Sequence, residues 1–291
     1  MAILDTRGLG VMTLFKRTFK EFSNDDMSTY ASALAYRALF SLFPFLLFLM
    51  ALLGFLHLPE FFAWLREQAS LVLPPVAMDQ VNPVIDQLQD QKSGLLSIGI
   101  LVALWTASVG VRSLMNAMNK AYGVEEGRPD WKLTLLSLVY TVGIAIMLLL
   151  AAGLMVMGPQ VMGWLAEQVG LKDIVVLLWN WLRWPIAVLL MMLVVAVLYY
   201  VAPDVEQDFR FITPGSALAV IVWIIASIGF GIYVQNFGNY DATYGSIGAI
   251  IVLLLYFYIS AAVLLLGAEL NAVIEHASDE GKDPGDKRLD S

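Results

Sequence analysis

Six stretches of this chain, residues 38–59, 93–111, 133–166, 184–203, 211–240 and 242–268, contain no Asp, Glu, Lys or Arg. A helix rises 1.5 Å per residue, so about 20 apolar residues cover the roughly 30 Å of a bilayer's hydrocarbon core. All six runs reach that length or come close to it. Backbone polar groups in hydrocarbon must be satisfied within the segment, which makes each run a helix. The expected fold is therefore all-α: a polytopic membrane protein with six transmembrane helices at about residues 30–57, 94–119, 133–158, 181–202, 213–237 and 244–272.

Composition supports this. Hydrophobic residues make up 59% of the chain and charged residues only 14%, where a soluble domain carries about 25% charged. With no cysteine and two histidines, His57 and His276, a thiolate or histidine-rich metal site is excluded, and no metal or cofactor is expected. The net charge of −8 argues against nucleic acid, whose binding needs a basic groove. Any enzyme reading, ribonuclease included, lacks a nucleophile–base pair or metal set to carry it.

Basic residues set the orientation. Arg7, Lys16, Arg17, Lys20, Lys120, Arg128, Lys132, Arg210, Lys282, Lys287 and Arg288 fall on one side, against Arg66, Lys92, Lys172 and Arg183 on the other. The positive-inside rule then places both termini in the cytoplasm. The first apolar run follows a charged leader and reads as an uncleaved anchor. Gly158-Pro159 is the expected stop of the third span. Residues 174–182 read as an interfacial lead-in to the fourth span, with Trp179, Trp181 and Trp184 as a headgroup belt.

Between spans, Met12, Phe15, Phe19 and Phe22 recur at helical spacing beside Lys16, Arg17 and Lys20. This is an amphipathic helix at the inner leaflet, either binding it or simply anchoring the first span. Ser23-Asn24-Asp25-Asp26 supplies a stop and N-caps for the next helix. The outer segment 59–92 carries two amphipathic extracytoplasmic helices, broken at Pro74-Pro75, that form a cap or a lid. Residues 1–277 read as one membrane domain, and the polar tail 278–291 as a disordered cytoplasmic extension.

Polar residues at membrane depth are costly and mark function. Arg37 and Arg112 lie near the inner ends of the first two spans, and Glu269 near the inner end of the sixth, at matching depth. Arg112, Asn116 and Asn119 form an i, i+4, i+7 stripe, with Tyr36, Arg37 and Ser41 on the first helix and Asn271 behind Glu269. Glu269 is expected to pair with at least one arginine. The set would hold a phosphate or carboxylate of a lipid or solute. Alternatively it is a structural ion pair, or the arginines snorkel to headgroups. A second candidate, for an ion or a gate, is the amide- and hydroxyl-rich outer connection with Asn236, Asn239, Asp241 and Tyr244, which also reads as a plain turn. Ser227 with Gly231, and Gly245 with Ala249, are spaced for close helix contact.

Several blocks carry a resemblance. YASALAYRALFSLFPF at 30–45, LWTASVGVRSLMNAMNKAYG at 104–123 and GRPDW at 127–131 come first. LYYVAPD at 198–204, FGIYVQNFGNYDATYGSIGAI at 230–250 and LLGAELNAVIE at 265–275 follow in order. Together they resemble the YihY/BrkB family of bacterial inner-membrane proteins, of the UPF0761 type and once mislabelled ribonuclease BN. The resemblance implies six helices, the inner membrane, and a role in transport or lipid movement linked to envelope integrity. The expectation is a transporter or lipid flippase-like protein for an amphipathic or anionic substrate, with a non-catalytic scaffold for envelope assembly as the alternative. Membrane lipids are the expected partners, together with a small anionic or amphipathic solute, and a homo-oligomer is compatible with the sequence.

Overall fold

Helix α1 (Val11–Asn24) ends at a left-handed turn, where Asp26 has φ 53°, and α2 (Met27–Phe55) starts at once. The Asp26 carbonyl accepts the Thr29 and Tyr30 N–H groups, so the acidic run stops one helix and starts the next as its residue types imply. The computed structural model describes residues 10–55, 66–67, 78, 82–83, 86, 93–169, 172–207, 211–236 and 246–277. Its further helices are α3 (Ser93–Ala121), α4 (Asp130–Val169), α5 (Lys172–Val201), α6 (Pro214–Asn236) and α7 (Ser246–His276). The expected tail and most of the outer segment lie outside the described residues. Within that segment Arg66 forms an ion pair with Asp86.

Among the described residues five helices, not six, are long and apolar enough to cross a bilayer: Leu101–Ala121, Asp130–Leu148, Leu177–Val201, Pro214–Val234 and Ile250–His276. The expected first span falls on α2, where most side chains beyond Ser41 lie outside the described set. Two expected boundaries also change. Helix α4 continues through Gly158-Pro159 to Val169, and α5 takes in the supposed interfacial lead-in as one helix from Lys172. A proline removes one backbone donor, which a membrane helix accommodates where neighbouring groups re-satisfy the freed carbonyl. Of the expected aromatic belt, Trp181 and Trp184 are exposed, while Trp179 turns inward.

The chain forms two compact units, residues 1–36 with 111–291, and residues 37–110. In the first, the buried core gathers where α2, α4 and α6 begin and where α3, α5 and α7 end. Met27 and Ala31 of α2 meet Met115 and Met118 of α3, Leu133 of α4, Leu198 and Tyr199 of α5, Ala219 of α6 and Leu265 and Ala268 of α7. Successive helices therefore alternate in direction. Helix α1 adds a smaller cluster, Leu14 against Leu270, Val273 and Ile274 of α7.

Elsewhere the helices expose apolar stripes. Leu135, Val139, Val142, Ile146 and Leu150 lie along α4, and Ile221, Ile225, Ile228 and Ile232 along α6. Contiguous apolar surface of this kind is tolerated against lipid and not against water. Lipid tails are as apolar as leucine, so close packing and interhelical hydrogen bonds hold such helices together. On the α6–α7 seam, Trp223 Nε1 donates to Ser260 Oγ (3.1 Å), the Ser227 and Tyr256 hydroxyls lie 3.1 Å apart, and the Phe230 ring is 5.3 Å from that of Tyr256. Tyr199, buried in α5, donates its hydroxyl to the Leu264 carbonyl of α7 (2.6 Å).

Candidate functional site

Two cavities in the first unit sit at the end where its core gathers. The first is built on a knot of polar side chains. Helix α3 stops because Gly123 takes φ 66°, the left-handed C′ conformation that glycine adopts without penalty, and the Val124 N–H turns back to the Asn119 carbonyl (2.9 Å). That leaves Asn119, 3% exposed, under two loops. Its Nδ2 donates to Glu126 Oε2 (2.9 Å), and its Oδ1 accepts the Asp204 N–H (2.7 Å).

Arg128 closes the knot with a bidentate pair, Nε to Glu126 Oε1 (2.6 Å) and Nη2 to Glu126 Oε2 (2.7 Å). Nη2 also reaches the Ala202 carbonyl (3.1 Å), and the Gly127 N–H donates to Asp204 Oδ2 (2.9 Å). Burial works to raise the Glu126 carboxyl, but the Arg128 hydrogen bonds and charge, with the Asn119 amide, outweigh it and hold Glu126 below the usual carboxylate range. The same pairing outweighs the burial of Arg128 and holds its guanidinium above its ordinary value. A bidentate arginine fork positions backbone as well as charge, so this knot fixes the α3–α4 and α5–α6 loops to each other.

Beside it opens a cavity of about 830 Å³. Lys132, Tyr140, Tyr200 and Gln207 give it polar groups, with the Asp204 and Glu206 carboxylates also on its lining; Leu136, Val201 and Val205 give it an apolar wall. Lys132 makes no ion pair among the described residues.

The second cavity, of about 430 Å³, is lined by Glu269, Ala272, Val273 and His276, successive positions on one face of α7, and by Arg17, Glu21 and Asp25 of α1 and its end. Glu269 is 1% exposed, and its Oε1 has no hydrogen-bond partner among the described residues. Lys120 pairs with Asp25 at 3.1 Å. Burial pushes the nearby Tyr122 phenol far above its ordinary value, and its ring meets His276 edge-on at 6.5 Å.

The residues singled out from sequence take separate partners. Arg37 donates to the Val109 carbonyl (3.1 Å), and Ser41 to the Ala38 carbonyl of its own helix (3.0 Å), both in the second unit. Tyr36 and Asn116 are exposed. Arg112 Nη2 donates to Thr134 Oγ1 (2.7 Å), and its Nε has no partner among the described residues. The expected ion pair is not formed between Glu269 and Arg112, the arginine of its own unit. Rotation about the helix axes sends Arg112 toward α4 and Glu269 toward α1.

Asn271 caps α6. Its Oδ1 accepts the Gly215 N–H (2.8 Å), and its Nδ2 donates to Thr213 Oγ1 (3.0 Å). The Asn239, Asp241 and Tyr244 candidates, and the side chain of Asn236, lie outside the described residues. Glu126, Arg128, Asp204, Arg17, Glu21 and Asp25 were not among the site residues expected from sequence; Arg17 and Arg128 entered through the charge balance and Asp25 as a cap. The first three stand in or beside the GRPDW and LYYVAPD blocks, and the i, i+7 spacing of Glu269 and His276 was a signal for the second cavity.

Among the described residues no group of three His, Cys, Asp or Glu side chains is placed to hold a metal. No solved structure matches the chain. It is 37% identical over 265 residues, 90% of its length, to a Bacillus subtilis (strain 168) protein, YfkH, whose name calls it ribonuclease-like, and it covers 95% of that protein. It is 27% identical to a UPF0761 membrane protein of Tolumonas auensis, with 86% of this chain and 82% of the relative aligned. A UPF0761 membrane protein of Xanthomonas oryzae is 29% identical over 87% of this chain, which spans only 58% of that longer relative. The family model described as "Virulence factor BrkB" matches residues 18–290. With that match covering nearly its whole length, the chain belongs to the BrkB family of multi-pass membrane proteins.

Proposed function

We propose that this chain is an inner-membrane transport protein, with both termini in the cytoplasm, that moves an amphipathic substrate and serves envelope integrity. The 830 Å³ cavity carries this reading. Small-molecule sites are concave, at about 300–1,000 Å³, with polar groups placed to fix orientation. Lys132 suits an anionic head and the Leu136, Val201 and Val205 wall suits an apolar body. Arg37 and Arg112 donate to the Val109 carbonyl and to Thr134 Oγ1 and are not among the residues lining this cavity.

Reconstitution of the purified chain into liposomes holding labelled anionic phospholipid tests the reading. Wild type is expected to speed movement between leaflets, and Lys132→Glu to return the rate to that of protein-free vesicles. Equal rates for wild type, variant and empty vesicles would rule out phospholipid as cargo and favour a non-catalytic scaffold.

A further inference from the structure

The 430 Å³ cavity holds a group that the transport reading does not use. Glu269 is 1% exposed, lines this cavity, and leaves Oε1 without a hydrogen-bond partner among the described residues. An ionised carboxylate in such surroundings is costly unless it is paired.

The neighbours do not neutralise it. Asp25 takes the Lys120 ammonium at 3.1 Å, and Glu21 accepts a hydrogen bond from Asn24 Nδ2 at 3.1 Å. Arg17 lines the cavity without forming an ion pair among the described residues. With Glu21, Asp25 and Glu269 all ionised, three negative charges face the two positive charges of Arg17 and Lys120. Glu269 is the carboxylate left over. His276, on the same face of α7, and Tyr122 are further titratable neighbours, with Tyr30 of α2 acting on Lys120 and Glu275 of α7 on Tyr122. The buried Tyr122 phenol keeps its own proton.

A metal ion would need several ligands, and no group of three is placed to supply them among the described residues. A single free carboxylate oxygen suits the ligand that needs only one oxygen and brings one positive charge. We propose that Glu269 is a proton-binding site, loaded and unloaded through this cavity along the wall that α1 supplies. Loading converts the carboxylate and a proton from water into a neutral carboxylic acid. Unloading is the reverse, with no other reactant.

Infrared difference spectroscopy on the full chain in lipid vesicles, stepped between mildly acidic and alkaline buffer, reads the C=O stretch of a protonated buried acid directly. The expected result is a titrating band in wild type that Glu269→Gln abolishes and Glu269→Asp shifts in frequency. Glu21→Gln should leave the band in place and lower its midpoint, because one repelling charge is gone. A band absent at every pH, or one unchanged in both Glu269 variants, overturns the proposal. No cargo enters the measurement, so its failure is separate from failure of the transport reading.

Discussion

Gly215 of α6 and Gly267 of α7 lie back to back, so close that a Cβ on either would collide with the carbonyl oxygen of the other. A Cβ on Gly267 would also strike the Tyr199 hydroxyl, and one on Gly215 the amide of Asn271. Asn271 follows Gly267 by four residues, on the same face of α7, so one stripe both lets α6 approach and caps its start. The seam expected at Ser227 and Gly231 works differently. A Cβ on Gly231 would meet nothing, while Ser227 is a hydrogen-bonding residue facing Tyr256.

Gly267→Ala and Gly215→Ala should each lower stability by about 1–3 kcal/mol, the usual cost of overpacking. Gly231→Ala should stay within about 0.5 kcal/mol of wild type. Thermal unfolding in detergent compares the three, and equal midpoints would mean that the glycine contact carries no stability.

Thr213 and Ser216 form a reciprocal cap at the start of α6. Each backbone N–H donates to the other's hydroxyl at 3.0 Å, with Pro214 in the first helical position. Thr213→Ala should cost about 1 kcal/mol, as lost N-caps do. Asn271→Ala should cost a similar amount by leaving the Gly215 N–H unpaired. Because both variants open the same α6 start, hydrogen exchange at residues 215–218 should quicken in each.

Arg128→Ala should cost about 3 kcal/mol, since it strips the partner from a largely buried pair, and Arg128→Lys should recover only part of it because an ammonium cannot make the fork. The pH dependence follows from Glu126. A carboxyl held below its ordinary value adds stability above that value and loses it as pH falls through the depressed one. Arg128 stays charged throughout that window. Acid should therefore narrow the stability gap between wild type and Glu126→Gln, and a gap constant from neutral to acidic buffer would argue against the pair.

The chain contains no cysteine, so a single introduced thiol reports on sidedness. Glu206→Cys and Lys132→Cys, in and beside the loops of the polar knot, should react with a membrane-impermeant maleimide in inverted vesicles and not in intact cells. Labelling from the outside would reverse the proposed orientation.

The membrane class and the acidic break at Asp25-Asp26 were legible in the sequence because apolar runs and caps are local signals. The expected stop at Gly158-Pro159 and the separate lead-in at 174–182 were not kept, since a long membrane helix absorbs each. Which polar groups meet was decided only by the tertiary structure. Arg112 and Glu269 were expected at one depth, yet one turns to Thr134 and the other to a cavity under α1. Depth is readable along a helix, but rotation about its axis is not when nearly every face is apolar. Lipid and protein interior then accept the same side chains, and contacts such as Gly215–Gly267 and Asn119–Asp204 set the angle.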